Sequence, residues 1–408
     1  MLQTARSSTP PRPSRAAMAV LLCASALTVM ANATIAPALP ELRAAFAGVP
    51  DMETLAGLIL AMPSLLVIIS AAVLGWLSDR LGRRAVLAIC MVVYAVGGAS
   101  GFIAGDLPQI LAGRGVLGLG VAGTMTIASA YVADLWQGPA RAHYMGLQAG
   151  AANLGGIIFV LLGGLLTGLG WRFPFLLYLV GLPLALAALA VLPRPWRPLP
   201  PPERNSAQTE IGAEEEVFPL WRAAWIVSLG LSMMTIFYIL PTRLPFQMVA
   251  LGITSPIAAG FALAMVTLFG LPGSLGYGWL RNRLSVLAIF GGSLAFLGLG
   301  LIVIALATEA RAIFGGGILC GIGFGAMIPN LMDHFLSKVP AGLRGRGAGL
   351  VTAAVFGGQF VSPLASGFAL RAMPLGTAFG VFGAVSLGLA LVFGLTATLV
   401  GSSEPPEA

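Results

Sequence analysis

Charged side chains are scarce in this chain of 408 residues: only 9% are Asp, Glu, Lys or Arg, whereas 58% are hydrophobic. A water-soluble domain carries roughly 25% charged residues. This chain therefore lacks the polar surface that a large apolar core needs in water. The composition excludes an ordinary soluble protein and predicts one whose solvent is the hydrocarbon of a membrane.

Cysteine and histidine are also rare, with three and two residues. Cys23, Cys90 and Cys320 each lie inside an apolar run without a nearby Cys or His. Such isolated residues give neither a disulfide framework nor metal-ligand spacing. The sequence also shows no Ser/His/Asp arrangement around either histidine. We therefore expect no enzyme, no metal ion and no cofactor.

Lysine is almost missing, because Lys338 is the only one and arginine supplies the remaining basic charge. The formal net charge is +7, which in a soluble protein would suggest nucleic acid. Here the charges lie at the ends of apolar runs, where they set membrane topology. The expected partner is therefore a lipid bilayer and not nucleic acid.

Twelve apolar stretches are long enough to cross ~30 Å of hydrocarbon as helices. Their continuity excludes membrane-barrel strands, in which apolar and polar residues alternate. Helices satisfy their own backbone hydrogen bonds in lipid. The sequence therefore predicts an all-α integral membrane protein with spanning helices near residues 17–39, 54–76, 85–104, 109–136, 144–168, 173–192, 223–242, 256–280, 286–307, 312–336, 347–369 and 375–399.

One long polar connection divides the chain. It is dense in proline between Pro193 and Pro202 and then carries the acidic run Glu214-Glu215-Glu216. Proline and low hydrophobicity favour an extended linker without a packed core. We therefore predict an N-terminal six-helix bundle at 1–192, a cytoplasmic linker at 193–222 and a C-terminal six-helix bundle at 223–408.

Arg and Lys are distributed unevenly between the two sets of connections. Sixteen lie on one side, and Arg114 lies within a helix. Only five lie on the other side: Arg43, Arg172, Arg243, Arg311 and Arg371. Because cytoplasmic connections are enriched in basic residues, this bias places both termini in the cytoplasm. The expected location is a bacterial inner membrane.

The two halves resemble each other at one fixed offset of 203 residues (278 − 75). Gly75-Trp76-Leu77 corresponds to Gly278-Trp279-Leu280, and further matches follow in the next helices. The pattern predicts two parallel six-helix repeats related by an axis along the membrane normal. The first apolar stretch could also be a secretory signal that ends at Ala31-Asn32-Ala33. We interpret it as a spanning helix, because the first helix of the second repeat, at 223–242, requires a counterpart in the first repeat.

The most specific motif is the stretch GWLSDRLGRR at residues 75–84. Its arginines favour the cytoplasmic membrane surface, Gly82 permits a tight reversal, and Asp79 suits a helix N-terminus. The motif resembles the major facilitator superfamily of secondary transporters, whose pattern between helices 2 and 3 is G-x-L-x-D-R-x-G-R-R/K. The resemblance covers the whole chain and implies two six-helix halves that rock around a central site. It also implies a small-molecule substrate and a proton as the coupling ion, and we expect a monomer.

The resemblance also implies a conformational latch, with Asp79 beside the start of helix 11 near Gly347 and with Asp134 paired to Arg83 or Arg80. In the second repeat Asn282 replaces Asp79, so the latch is expected to be asymmetric. The alternative is that the charges only enforce topology. The predicted latch residues are Gly75, Asp79, Arg80, Gly82, Arg83, Arg84 and Asp134.

In the family, helices 1, 4, 7 and 10 line the central cavity, with contributions from helices 5 and 11. Few polar residues lie on these helices, which predicts a mostly apolar pocket and favours a hydrophobic or amphipathic substrate. Each residue could instead form a helix–helix hydrogen bond, and Arg114 could extend to the membrane surface. The substrate-cavity candidates are Asn32, Arg114, Thr126, Asn153, Tyr238, Asn330 and Gln359.

Proton coupling requires a buried titratable group, and the candidates are Asp333 and His334 of helix 10, besides Asp134. Asp333 and His334 could instead form a local surface pair near Lys338. In helix 5, Phe159-Val160 occupies the position at which the related antiporter signature has Gly-Pro. This departure from the signature supports uptake or facilitated diffusion as the alternative to proton-driven efflux. The sequence predicts proton-coupled efflux of a small hydrophobic or amphipathic compound by alternating access. The alternatives are a facilitator or uptake symporter for a metabolite, and a non-transporting receptor or assembly subunit on the same fold.

Overall fold

The computed structural model describes residues 14–136, 138–193, 219–336 and 344–401. Among them, twelve helical segments are long and apolar enough to cross a membrane, as the sequence predicts. The helical stretches are α1 (Arg15–Ala33 and Leu39–Ala45), α2 (Met52–Leu81), α3 (Arg83–Ala99), α4 (Leu107–Leu135), α5 (Gly138–Thr167), α6 (Phe173–Val180 and Gly181–Val191), α7 (Leu220–Phe237 and Ile239–Ala250), α8 (Pro256–Leu275, with a short helix Tyr277–Arg281), α9 (Val286–Ala305), α10 (Ala310–Gly325 and Met327–Leu336), α11 (Arg344–Leu370) and α12 (Leu375–Gly401).

Segments α1, α7 and α10 are interrupted partway along their length. The first helix of α1 ends at Ala33, and a short 3-10 turn precedes its second helix. In α7 the interruption is at Tyr238, and in α10 it is at Ala326. Ile35 and Tyr238 are separated by the repeat offset of 203 residues (238 − 35). The interruption is therefore a shared feature of the two repeats.

The first half comprises α1–α6 and the second half α7–α12. Within the halves, α4 packs against α2 and α3, while α9 packs against α12 and α8 against α10. The main contacts between the halves are α5 with α8 and α2 with α11. Most of the predicted linker, residues 194–218, lies outside the described residues, so its bounds stay a prediction.

The two halves are packed closely at one end of the bundle. A Cβ added at Gly57 of α2 would lie 2.7 Å from Pro363 Cβ of α11, and one at Gly164 of α5 would lie 2.7 Å from Pro256 O. The Gly57 side of α2 is largely buried, whereas residues 72–81 of the same helix are mostly exposed. We call the packed end the closed end, and the opposite end, which carries Asp79, the open end.

Several helix boundaries differ from the sequence-based expectation, and two of them change how charged residues are interpreted. The charged motif is not a loop, because α2 stays helical to Leu81 and only Gly82, at φ 94°, separates it from α3. Helix α7 continues to Ala250, so Arg243 lies inside a helix rather than in a connection. Its side chain is fully buried, and its use as a connection residue in the charge count was wrong.

Candidate substrate site

Four polar side chains from both halves meet near the interruptions of α1 and α7. Asn32 Nδ2 donates to Gln359 Oε1 at 3.3 Å, and Ser64 Oγ donates to the same oxygen at 2.7 Å. The Asn32 amide also neighbours the Tyr238 hydroxyl, although their geometry makes no hydrogen bond. We call Asn32, Ser64, Tyr238 and Gln359 the central cluster. It brings together three of the predicted cavity residues and adds Ser64, which the sequence analysis did not single out.

The interruptions explain why these side chains can meet. Asn32 lies in the last turn of the first helix of α1, and Tyr238 occupies the interruption of α7 itself. Interrupted spanning helices expose polar groups near the middle of a membrane, where secondary transporters bind substrate. Beside Tyr238, the Phe237 ring stacks on Phe324 of α10 with 3.5 Å between ring centroids. The cluster therefore adjoins an apolar aromatic surface.

Several buried polar atoms in the described structure have no hydrogen-bond partner. They are Asn32 Oδ1, Thr124 Oγ1, Tyr238 OH and Ser362 Oγ. An unsatisfied buried polar group costs about 1–3 kcal/mol. Two of the four atoms belong to the central cluster, so the cluster has an unused acceptor and an unused hydroxyl on neighbouring side chains.

Arg114 of α4 is buried beside this region, with 1% of its surface exposed. Its Nε donates to Ile59 O at 2.8 Å, its Nη1 to Tyr178 OH at 2.9 Å and its Nη2 to Ala31 O at 2.7 Å. The side chain thus does not extend to the surface. It joins α1, α2, α4 and α6 within the first half.

The acceptors around Arg114 are available because two helices are irregular. Pro63 has no N–H, so the Ile59 carbonyl four residues earlier lacks its helical donor. The Ala31 carbonyl lies in the last turn of a helix, where carbonyls lack intrahelical partners and carry partial negative charge. Tyr178 OH also donates to Ala31 O, at 2.8 Å. These dipoles stabilise the guanidinium without a carboxylate.

At the closed end, a second buried arginine connects the halves. Arg243 of α7 is 0% exposed. Its Nε donates to Ser366 Oγ at 2.9 Å, its Nη2 to Pro363 O at 3.1 Å and its Nη1 to Glu53 O at 2.8 Å. Because Glu53 belongs to α2, Arg243 fastens the first half to α7 and α11 of the second half. The sequence analysis missed this residue.

An exposed ion pair also connects the two halves at the closed end. Arg371 Nη2 lies 2.8 Å from Asp51 Oδ2, and Arg43 pairs with Glu53. Asp51 has a left-handed backbone with φ 54°. This conformation is uncommon for residues other than glycine, and it persists where the surrounding structure holds it in place. The Arg43 guanidinium also lies 5.3 Å from the Phe246 ring centroid of α7. These contacts add to the connection made by Arg243.

At the open end, Arg83 is the centre of the charged motif. Its Nη1 donates to Asp134 at the end of α4 and, at 2.9 Å, to Ala130 O. Its Nη2 lies 3.2 Å from Asp79 Oδ1. The contact of Asp134 with Arg83 matches the expected one, whereas the role of these residues as a latch stays a prediction.

Asp79 lies in the last turn of α2. A carboxylate is unfavourable beside the negative end of its own helix dipole, and Arg83 compensates for it. The side chains at residues 344–346, where α11 begins, lie outside the described side chains, so the expected contact of Asp79 with α11 is not tested.

The remaining motif residues surround this pair. The Arg80 guanidinium lies 4.0 Å from the Trp76 ring centroid, and Arg84 is half-buried in the first turn of α3. A Cβ added at Gly75 would lie 3.3 Å from Thr126 Cγ2 of α4. Thr126, a predicted cavity residue, is therefore placed between α2 and α4 near the open end.

The second half has its own charged pair at the open end. Arg281 Nε donates to Asp333 Oδ2 at 3.1 Å. The Tyr277 hydroxyl lies 3.0 Å from the same oxygen and 3.2 Å from Asn330 Oδ1, so it donates to one of them at a time. Burial and the hydrogen bond to Asp333 raise the pKa of Tyr277 above its ordinary value, which keeps the hydroxyl protonated.

Neither Asn330 nor Asn153 makes a hydrogen bond to the central cluster in the described structure. Asn330 is fully buried, and its Nδ2 donates to Val286 O at 2.9 Å. Its polar atoms therefore join α10 to the start of α9. Asn153 of α5 is half-buried and makes no hydrogen bond to the described residues. His334 is 6% exposed and lies with its ring perpendicular to Phe290, 6.0 Å between centroids.

No group of His, Cys, Asp or Glu side chains with the geometry of a metal site occurs in the described parts of the chain. The carboxylates of those parts lie at the ends of the segments, as Asp51, Asp79 and Asp333 do. The middle of the bundle is therefore apolar apart from neutral polar groups and Arg114. A few polar groups in apolar surroundings are the usual lining of a small-molecule site.

The bundle has the architecture of a membrane transporter, with interrupted helices between two repeats. The profile of the Major Facilitator Superfamily matches residues 21–363. The chain belongs to the Major Facilitator Superfamily, a family of transporters rather than enzymes, and the resemblance carried by the charged motif is confirmed.

Curated relatives match parts of the chain. The bacillibactin exporter of Bacillus subtilis (strain 168) is 34% identical over 125 residues, which are 29% of this chain and 31% of that protein. The tetracycline resistance protein, class C, of Escherichia coli is 32% identical over 160 residues, 39% of this chain and 40% of that protein. The matched stretches thus span less than half the length of these relatives.

Solved structures resemble the chain along nearly its whole length. One is a bacterial homolog to the human lysosomal transporter Spinster in an inward-facing and occupied conformation, with a TM-score of 0.75 at 17% identity, covering 96% of this chain and 98% of that chain. The D-xylose-proton symporter gives a TM-score of 0.73 at 18% identity, covering 93% and 96%. At these identities the similarity shows the fold.

Proposed function

We propose that this protein exports a small hydrophobic or amphipathic compound in exchange for protons, by alternating access around the central cluster. The observation that carries the proposal is the asymmetry of the two ends. Arg243 and the α2–α11 contact join the halves at the closed end, whereas residues 72–81 of α2, at the open end, are mostly exposed. A compound that enters from the open end would meet the cluster and stop at the closed end.

The direction of transport follows from the proposed topology. With the open end in the cytoplasm of a bacterial inner membrane, as the arginine bias predicts, the structure represents a loading state for export. Relatives that are named an exporter and a resistance protein support the same direction. In this proposal Arg83, Asp79 and Asp134 form the latch that must rearrange when the open end closes.

Proton coupling is assigned to Asp333, with His334 as the neighbouring candidate. A facilitator is the second candidate function. It is favoured by one observation: among the described residues no carboxylate lies in the middle of a spanning segment, where a coupling group could both interact with the substrate and bind the proton. The two candidates differ in whether a proton gradient drives export.

The test uses cells that make the protein and take up Nile red, a neutral fluorescent amphiphile. We expect them to retain less dye than cells that lack the protein, and we expect a protonophore to abolish the difference. Cells that make the Asp79→Asn variant at the same level should retain an intermediate amount. Export that persists with the protonophore would favour the facilitator. Equal retention in cells with and without the protein, once its insertion in the membrane is verified, would contradict export of this class of compound.

A further inference from the structure

We propose that the central cluster binds an uncharged hydrogen-bonding group of the transported compound, such as an alcohol or a primary amide. The inference rests on the proposed function and adds the chemistry of the substrate's polar end. Its consequence is that an ammonium or a carboxylate at the same position of the substrate weakens binding.

The first argument is the unused hydrogen-bonding capacity of the cluster. Asn32 Oδ1 can accept a hydrogen bond, and the Tyr238 hydroxyl, on a side chain only 5% exposed, can donate or accept one. Gln359 Nε2 makes no hydrogen bond to the described residues either. An alcohol or amide is both a donor and an acceptor, so it can satisfy these neighbouring atoms together.

The second argument is the absence of an available counter-charge. Two buried arginines lie on the helices around the cluster in the described structure. The nitrogens of Arg114 donate to Ile59 O, Tyr178 OH and Ala31 O, and those of Arg243 donate to Ser366 Oγ, Glu53 O and Pro363 O. Both side chains are at most 1% exposed, which leaves little surface for contact with a ligand. A charged group brought here would lose its hydration without gaining an ion pair, and an ammonium would also be repelled by the guanidinium groups.

The third argument concerns the contact between the halves. Gln359 is the second-half acceptor for two first-half donors, Asn32 Nδ2 and Ser64 Oγ. A substrate oxygen that accepts from Asn32 Nδ2 competes with the longer of these bonds, which measures 3.3 Å. Binding of a neutral polar group therefore loosens a contact between the halves. This links occupation of the site to the rocking motion.

The experiment measures binding of five probes to the purified full chain in detergent. Each probe has the same nitrobenzoxadiazole fluorophore on the same alkyl chain, and the chain ends in an alcohol, a primary amide, a methyl ether, a trimethylammonium or a carboxylate. Fluorescence anisotropy gives the dissociation constants. We expect the alcohol and the amide to bind about five- to tenfold more tightly than the ether, as one or two neutral hydrogen bonds would give. The two charged probes should bind most weakly.

Two variants test whether the central cluster is responsible. Asn32→Leu and Tyr238→Phe should reduce the preference for alcohol over ether to less than about twofold, while binding of the ether changes little. Tyr131→Phe is the matched control, because it removes a tyrosine hydroxyl that lies 3.5 Å from Pro193 O. It should retain the full preference. Thermal unfolding of each variant confirms that it is folded.

The possible results separate the inference from the function on which it rests. Equal affinity for all five probes, or tighter binding of a charged one, would overturn the inference and leave export of amphiphiles intact. The same holds if the two cluster variants weaken alcohol and ether alike. Failure of every probe to bind the folded protein would contradict the proposed substrate class and, with it, the inference.

Discussion

The Arg243 guanidinium donates a hydrogen bond to the Glu53 backbone carbonyl at 2.8 Å, and this bond joins two helices from opposite halves of the protein. Arg243 is fully buried, whereas the neighbouring ion pair of Arg371 and Asp51 is exposed. Hydrogen bonds from charged groups contribute about 1.5–3 kcal/mol, but exposed ion pairs contribute about 0–1 kcal/mol. The buried arginine should therefore dominate closure of this end.

The first prediction is that Arg243→Met opens the closed end. Loss of the bond to Glu53 O should shift the equilibrium toward opening by about 10- to 100-fold. The measurement is the rate at which a maleimide labels Thr54→Cys, introduced after the three native cysteines are replaced. Thr54 reports on this interface, because a Cβ added at Gly367 would lie 2.3 Å from its Oγ1.

Arg371→Gln is the matched control, since it removes an arginine from the same end without touching the buried network. Labelling should increase by less than about fivefold. If Arg243→Met and Arg371→Gln accelerate labelling equally, or if neither does, Arg243 is not the residue that holds this end closed.

The second prediction concerns Asp79. Asp79→Asn should insert normally and bind substrate, but export more slowly, because it loses the charge that pairs with Arg83 across Gly82. Initial rates of Nile red efflux, normalised to the amount of protein in the membrane, provide the measurement. Glu309→Gln removes an exposed carboxylate that pairs with Arg311 and should leave the rate unchanged. An unaltered rate for Asp79→Asn would reduce the motif to a topology signal.

The third prediction concerns proton coupling. Asp333→Asn should abolish the acceleration of export by a pH gradient while the protein stays folded, because its pair with Arg281 is about 40% exposed and contributes little stability. Everted vesicles with and without an imposed gradient supply the measurement. Arg281→Gln, which keeps the carboxylate, should remain responsive to the gradient. A normal response of Asp333→Asn would leave Asp333 as a local ion pair and favour the facilitator.

The segments and the family were accessible from the sequence because spanning length and the motif at residues 75–84 are local patterns. The pairing of Asp134 with Arg83 was also expected, since the family pattern names the motif and a carboxylate ends α4. The boundaries near Leu81 and Ala250 were not predicted. Both helices continue through polar residues, which hydropathy alone assigns to connections.

The sequence could not predict whether an individual side chain points to the protein interior or to the lipid. A helix in lipid is apolar on all sides, so no amphipathic pattern separates its buried face from its lipid face. Asn330 and Gln359 therefore looked equivalent, yet one bonds to Val286 within its half and the other joins the halves. Arg243 resembled a topology signal for the same reason, because its burial depends on the packing of α2 and α11.

The last prediction concerns the packing of α5 against the interruption of α1. A Cβ added at Gly163 would lie 2.0 Å from Thr34 O, a backbone atom that cannot rotate away, whereas one at Gly150 on the same helix would meet nothing within 4 Å. Gly163→Ala should therefore lower the free energy of unfolding by about 1–3 kcal/mol through overpacking. Gly150→Ala should be neutral or stabilising by up to about 1 kcal/mol, because alanine favours the helix. Thermal unfolding in detergent compares the two variants with the parent chain.

Since the strain acts at the helix that presents Asn32, Gly163→Ala should also weaken binding of the alcohol-terminated probe, and Gly150→Ala should not. Equal stability of the two variants would mean that α1 can move away from α5 at no cost, which would contradict a fixed interruption as the support of the central cluster.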